Sequence, residues 1–351
     1  MKRPTIADVA RHAGVSKGAV SYALNGQPGV SDSTRERILA VARDIGFSPS
    51  NAARALSRAS ANAVGLAPCR PAKILGVEPW FMGLISGFEQ ELAARSYALT
   101  LQVVSTPEEE VEVYRRWWGE RRIDGVILTD LREDDIRIPV LQELELPAVM
   151  LGGPADTGTI PQLWSDDTGS MTEAVRYLAA LGHRRIARVS GLTSLLHTHE
   201  RTRAFVEACA ALGLHDAVTA QADYTGEEGG RATRRLLIRT DRPTAIIYDN
   251  DVMAVAGLAA AQEMGLSVPA DLSIVAWDDS LLCSLVHPAL TTLSRDIPGF
   301  GAQAARHLLR VIDGEKVDNT EGSAAHLTTR GSTAPPFDRE VHLDRTGSTG
   351  A

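Results

Sequence analysis

The sequence predicts an all-α head followed by an α/β core of doubly wound parallel sheets. Three observations carry this expectation. Apolar residues recur at helical spacing in three short runs before residue 47, separated by turns containing Gly. From Ala63 onward, short β-rich runs alternate with helical stretches, the pattern of a parallel sheet with helices on both faces. That alternation has too many units for one comfortable sheet, so the core divides into two lobes. A length of 351 residues fits two or three domains.

In the head, Thr5 precedes the apolar stripe Ile6, Val9, Ala10 and can cap a first helix, with Asp8 completing a capping box. Gly14 can adopt the left-handed backbone that a tight turn needs. Ser16 caps a second helix, with Val20, Ala23 and Leu24 facing inward, and Asn25-Gly26 stops it. Ser31 to Thr34 opens a third, with Ile38, Val41, Ala42 and Ile45 as its core stripe and Gly46 as its stop. Helix, short turn and helix make a helix-turn-helix, whose second helix reads base edges in the major groove. Lys17, Gly18, Ser21 and Tyr22 lie on the free face of that helix. Lys17 can donate to guanine, and Tyr22 offers a hydroxyl and an apolar ring. Thr5, Ser16, Ser31 and Thr34 stand at helix N-termini, where hydroxyls and backbone N–H groups hold phosphates. A small bundle with a solvated basic face is the bland alternative.

Charge separates the two readings. The chain carries a net charge of -8, but residues 1–60 hold nine Lys/Arg and four acids, a balance of +5, leaving -13 for the rest. A basic head on an acidic body suits a polyanion-binding module joined to a domain with another task. A hydrophobic content of 44% and a charged content of 23% exclude a wholly disordered chain. Three widely spaced cysteines with no CxxC predict reduced thiols. With no apolar signal core and no run of about 18 apolar residues, a cytoplasmic protein without membrane contact is expected.

In the core, strands are expected at Val64–Ala67, Ala98–Val104, Gly125–Leu128, Ala148–Leu151, Ile186–Val189, Ala245–Tyr248 and Ser273–Trp277. Helices are expected at Phe81–Ser96, Gly169–Leu181, Arg201–Leu212 and Asp251–Met264. Ligands of such sheets sit beyond the carboxyl ends of the strands, which for two facing lobes means the cleft.

The motif set TIADVARHAGVSKGAVSYALNG…VSDSTRERILAVARDIGFSPSNAARALS closely resembles the LacI/GalR family of bacterial transcription regulators. The body resembles the family's core, related to periplasmic sugar-binding proteins, through IDGVIL, LPAVMLGG, SDDTGSMTEAVRYLAALGHRRIARVSG, PTAIIYDNDVMAVAG and HPALTTLSRD. The resemblance implies a helix-turn-helix domain over 1–48, a hinge helix and linker over 49–61, and an effector-binding and dimerisation core over 62–337. It places the N-lobe at about 62–160 and 292–322, and the C-lobe at about 161–291 and 323–337. It also implies that Lys17, Gly18 and Tyr22 read bases. Asn51, Ala53, Arg54 and Leu56 would sit in a hinge helix docked in the minor groove, Leu56 as the wedge that kinks the DNA. Many members carry Arg where this chain has Tyr22, so the half-site differs from theirs.

The family's cleft positions fall on Trp80, Phe81, Trp164, Arg201, Asn250, Trp277, Asp278 and Arg295. The aromatics would pack on the ligand, Arg201 would fork onto its oxygens, Asn250 would bond a hydroxyl, and Asp278 would accept two. Asp251 is expected to cap the helix that starts there. Arg295 stands where several relatives have Gln. The stretch Pro68–Glu78 is longer than usual, with Glu78 in place of Asn or Asp before Pro. Two arginines in the cleft hint at an acidic ligand, although a neutral sugar is favoured.

These implications add up to a regulator, by expectation a repressor, binding a pseudo-palindromic operator as a homodimer under effector control. A solute-binding protein and a doubly wound enzyme are the alternatives. The head opposes the first, and the lack of a nucleophile, base and oxyanion set opposes the second. His197-Thr198-His199-Glu200 resembles a metal motif but puts its two His on different helix faces. His183 is expected to make a structural hydrogen bond, and Glu108–Glu110 and Asp134-Asp135 to be solvated. No cofactor is expected. The stretch 338–351 is expected to be a disordered tail without leucine heptads.

Overall fold

The computed structural model describes residues 4–47, 60–70 and 72–336. The head consists of α1 (Ile6–Ala13), α2 (Lys17–Leu24) and α3 (Asp32–Asp44). Thr5 caps α1 and forms the reciprocal capping box with Asp8, and Gly14 closes it at φ 65°. Ser16 and Ser31 cap α2 and α3, accepting from the amides of Ala19 and Thr34. Val9, Ala10, Ala13, Val20, Ala23, Ile38 and Ala42 form its small core. Leu24, expected inward, is only half-buried. The hinge-helix expectation at Asn51, Ala53, Arg54 and Leu56 and the tail expectation lie outside the described residues.

The chain enters the core at Ser60–Asn62 on a single carboxylate. Asp124 accepts from the Ser60 hydroxyl and from the amides of Ala61 and Asn62, each at 2.7 Å. The first lobe then builds β1 (Ala63–Leu66), α4 (Ala72–Leu75), α5 (Pro79–Ala94), β2 (Ala98–Leu101), α6 (Pro107–Gly119), β3 (Gly125–Leu128), α7 (Arg137–Glu143), β4 (Ala148–Leu151) and β5 (Gln162–Trp164). The second builds α8 (Asp167–Ala180), β6 (Ile186–Ser190), α9 (Leu196–Ala211), β7 (Val218–Gln221), α10 (Gly226–Leu237), β8 (Ala245–Tyr248), α11 (Asp251–Glu263), β9 (Ser273–Trp277), α12 (Leu281–Leu285) and β10 (Thr291–Ser294). The chain returns to the first lobe with α13 (Ile297–Ile312) and β11 (Thr320–Glu321), and ends in the second with β12 (His326–Thr328).

Each lobe holds one six-stranded sheet, ordered β11-β5-β4-β3-β1-β2 and β12-β10-β9-β8-β6-β7. All named pairings are parallel except β10 with β12. The central strands β1, β3, β4, β6, β8 and β9 are buried along their whole length. That follows from helices covering both faces, which is why these strands read as continuous apolar runs.

Two expected lobe boundaries are corrected. Gln162–Trp164 pairs with β4 in the first sheet, so the first crossing falls after 164, not 160. Thr291–Ser294 pairs with β9 in the second sheet, so the return falls after 294, not 291. In each case the strand next to the sheet's edge is completed before the chain leaves its lobe. Helix α9 begins at Leu196, five residues ahead of the expected start, which places the His197–Glu200 segment on its first turns.

The solvated reading of the two acidic runs holds only in part. Glu108, Glu109 and Asp134 are exposed, but Glu110 and Asp135 are buried with Arg137. Arg137 donates to Glu110 Oε1 at 2.7 Å, to Asp135 Oδ1 at 2.8 Å, and to the carbonyls of Thr129 and Asp130. Packing α6 against α7 brings these groups together, and no local pattern announces it.

Candidate functional site

In the head, Lys17, Gly18 and Tyr22 are exposed on α2 and Ser21 is half-buried. Spacings of three and four residues put them on one helix face. Tyr22 is 47% exposed, and one ring edge lies above Gly29, where an added Cβ would stand 3.3 Å away. The face is therefore set by the burial of Val20 and Ala23 on its opposite side. Thr5, Ser16 and Ser31 are exposed and Thr34 is half-buried; all four hydroxyls already serve local hydrogen bonds at helix starts.

Between the lobes lies a cleft with about 680 Å³ of non-atom space, open solvent included. Of the expected residues, Trp80, Trp164, Arg201, Asp278 and Arg295 line it. Phe81, Asn250 and Trp277 do not. Phe81 is fully buried and meets Trp80 edge-on at 4.9 Å, so it supports the wall without forming it. Trp277 is fully buried too, and the Arg201 guanidinium stacks 3.7 Å from its ring centroid.

Asn250 is the N-cap of α11, a correction to the expected role of Asp251. Its Oδ1 accepts from the Met253 amide at 2.8 Å, and its Nδ2 donates to the Tyr224 carbonyl at 3.0 Å. Both ends of the amide are thus engaged within the protein. Asp251 is instead the first helical residue, and burial pushes its carboxyl up to about 6.

The guanidinium of Arg201 is engaged in part within the protein. Its Nε donates to Asp167 at 2.7 Å, and Nη1 reaches the Asp249 carbonyl at 3.3 Å. Burial opposes its charge, but Asp167 and Asp249 more than offset that and raise its pKa. Arg295 donates to Asp278 at 2.9 Å and to Ser165 at 3.1 Å. Because Ser165 and Arg295 sit on two of the crossing segments, this arginine ties the crossings to the end of β9.

Further wall residues were not among the expected cleft positions, although Glu78 lies in the unusual stretch before Pro79. Arg70 grips Asp130 with two bonds, at 2.9 and 2.8 Å, and lies 4.7 Å from the Tyr224 ring centroid on the other lobe. Glu78, Asp130, Asp167, His197, Glu200, Tyr224 and Asp249 complete much of the polar wall. Burial pushes the Glu78 carboxyl up to about 7 and that of Glu200 to about 7 as well. Burial, reinforced by surrounding arginines, holds His197 well below its usual pKa, and it meets the Tyr224 hydroxyl at 2.7 Å.

Three of these residues have left-handed backbone: Asp130 at φ 58°, Tyr224 at 70° and Asp278 at 65°. For Asp this is tolerated, but for a bulky residue it is costly, on the order of 1–3 kcal/mol. Tyr224 is held there by hydrogen bonds to His197 and Thr198 and by the space above Gly191, where a Cβ would collide with its ring. Asp249 had one readable signal, an acid directly after a strand end. Tyr224 had none and Arg70 only its place in the long stretch Pro68–Glu78, since the two meet only when the lobes face each other.

Comparison with known proteins agrees with this architecture. Residues 5–50 match the model of the bacterial regulatory proteins of the lacI family, and residues 175–333 match the periplasmic binding protein-like domain. The transcriptional regulator AglR of Rhizobium meliloti (strain 1021) is 32% identical over 338 residues, covering 93% of each chain. The lac repressor dimer bound to operator and the anti-inducer ONPF superimposes with a TM-score of 0.84 at 26% identity, over 95% of this chain and 100% of that one. The regulator CelR in complex with cellobiose gives a TM-score of 0.72 at 29% identity, over 94% and 100%. The head's exposed reading face and the two-lobed cleft thus occur together in relatives spanning nearly the whole chain, and this chain belongs to the lacI family of bacterial regulatory proteins, as a DNA-binding transcriptional regulator.

Proposed function

We propose that the protein is a homodimeric, cytoplasmic repressor whose grip on a pseudo-palindromic operator is controlled by a neutral sugar held in the interlobe cleft. Two heads on a dimer present two α2 helices to successive major grooves. Lys17, Gly18, Ser21 and Tyr22 face the bases in this reading, with Thr5, Ser16, Ser31 and Thr34 near the phosphates. The effector acts by binding one placement of the lobes better than the other.

The observation that carries the neutral-sugar reading is the pairing of the cleft arginines. Arg70, Arg201 and Arg295 each bond a carboxylate, and the lining holds three arginines against six acidic residues. An anionic ligand would meet a wall whose arginines are already paired, which favours a neutral one. Cellobiose in CelR supports the same class of ligand. The solute-binding and enzyme alternatives leave the head without a task.

Fluorescence anisotropy with a selected operator duplex, with and without neutral and acidic sugars, tests the reading. The expected result is tight, salt-steep operator binding that shifts with a neutral sugar. Binding shifted by sugar acids alone would refute it.

A further inference from the structure

We propose that Arg70 and Glu78 form a hydroxyl-recognition subsite within this cleft, one that takes adjacent hydroxyls of a neutral carbohydrate and sets which carbohydrate is accepted. The proposal rests on the reading of the cleft as a sugar site and adds the residues that choose the sugar.

Both side chains come from the stretch 68–78 that leads from β1 to α5. Arg70 is 4% exposed and Glu78 is 7% exposed, and both line the cavity. Each has one buried polar atom without a hydrogen-bond partner: Nη1 of Arg70 and Oε2 of Glu78. Burying such atoms unmatched is unfavourable, and two residues that line one cavity and each carry an orphaned polar atom mark a place where a ligand supplies what the protein lacks. The remaining atoms of both groups are anchored. Arg70 is held by Asp130 through Nε and Nη2 and lies over the Tyr224 ring. The other oxygen of Glu78 faces the Asn250 amide at 3.5 Å.

The chemistry of the pair selects the ligand. A hydroxyl can accept from the guanidinium and donate to the carboxylate, and two hydroxyls on neighbouring carbons can serve both at once. A carboxylate or phosphate would satisfy Nη1 but would place negative charge beside Glu78 with Asp130 close behind. Arg70 and Glu78 belong to the first lobe, whereas Tyr224 and Asn250 belong to the second. A ligand seated on the pair therefore touches groups already linked across the cleft.

Isothermal titration of the full-length protein with glucose, galactose, maltose and cellobiose, and with monodeoxy analogues of the sugar that binds best, tests the subsite. Glu78→Gln and Arg70→Lys are each expected to weaken that sugar at least tenfold. The wild type is expected to lose a similar factor toward the analogue that lacks one of the two hydroxyls, and Glu78→Gln is expected to lose that discrimination. If Arg70→Lys does not fold, the deoxy series on Glu78→Gln still decides. A variant that binds the parent sugar as tightly as wild type, or that discriminates equally well, overturns the subsite and leaves the sugar reading standing. Failure of every neutral sugar to bind the wild type overturns both.

Discussion

Replacing Glu78 by Gln is expected to flatten the pH dependence of stability between about pH 5 and pH 8. Burial raises the folded-state pKa of this carboxyl to about 7, against 4.5 for an unperturbed one. Below the lower value both states are protonated, and the fold keeps its full stability. As the pH rises, the unfolded chain ionises first, so the folded state is progressively disfavoured until the pH passes about 7. A shift of this size, at 1.36 kcal/mol per unit, makes the wild type lose about 3 kcal/mol across that window. At 7% exposure, Glu78 has little solvent screening to reduce the figure. Gln has no such titration, so Glu78→Gln should gain on the wild type by up to that amount at pH 8 relative to pH 5. Glu200 and Asp251 also titrate high, at about 7 and about 6, but they do so in both proteins and cancel in the difference. Urea denaturation followed by tryptophan fluorescence at pH 5, 6, 7 and 8 measures it. Parallel stability curves for the two proteins would refute the reasoning.

Other expectations are equally direct. Arg137→Ala strands Glu110 and Asp135 as buried, uncompensated acids and should cost about 3–5 kcal/mol in urea denaturation. Gly87→Ala drives a methyl into the Pro298 carbonyl, with an added Cβ 2.0 Å away where α5 crosses α13; a loss of about 1–3 kcal/mol or more is expected, read by thermal melting. Tyr22→Ala should relax base preference at one operator position by about 1–3 kcal/mol without changing the salt slope, measured by anisotropy on a set of single-base operator variants. Equal losses on every variant would instead make Tyr22 a backbone contact.

Much of the fold was legible because its signals are local. The capping residues Thr5, Ser16 and Ser31, the left-handed Gly14 and the buried apolar runs of β1, β3, β4, β8 and β9 depend on near neighbours in the chain. The strands β5 and β10 were missed because they are short and only half committed by composition; their pairing partners decide them. That is also why both lobe crossings were placed early. In the cleft, expectations for Trp80, Trp164, Arg201, Asp278 and Arg295 put them at the cavity wall, but not their partners. The ion pairs join residues 17 to 60 positions apart, and together they make an arginine-containing but acid-rich wall.

Taken alone, the sequence determined that a basic helical head precedes an acidic α/β body, and which helix face of the head is free to meet DNA. Helix periodicity and charge are properties of consecutive residues, and no distant contact is needed to read them. Only the tertiary structure decided which side chains in the cleft remain available. Hydrogen-bond capacity is shared between groups that the chain keeps far apart, so the orphaned atoms of Arg70 and Glu78 became visible only after Asp130, Tyr224 and Asn250 had taken their places.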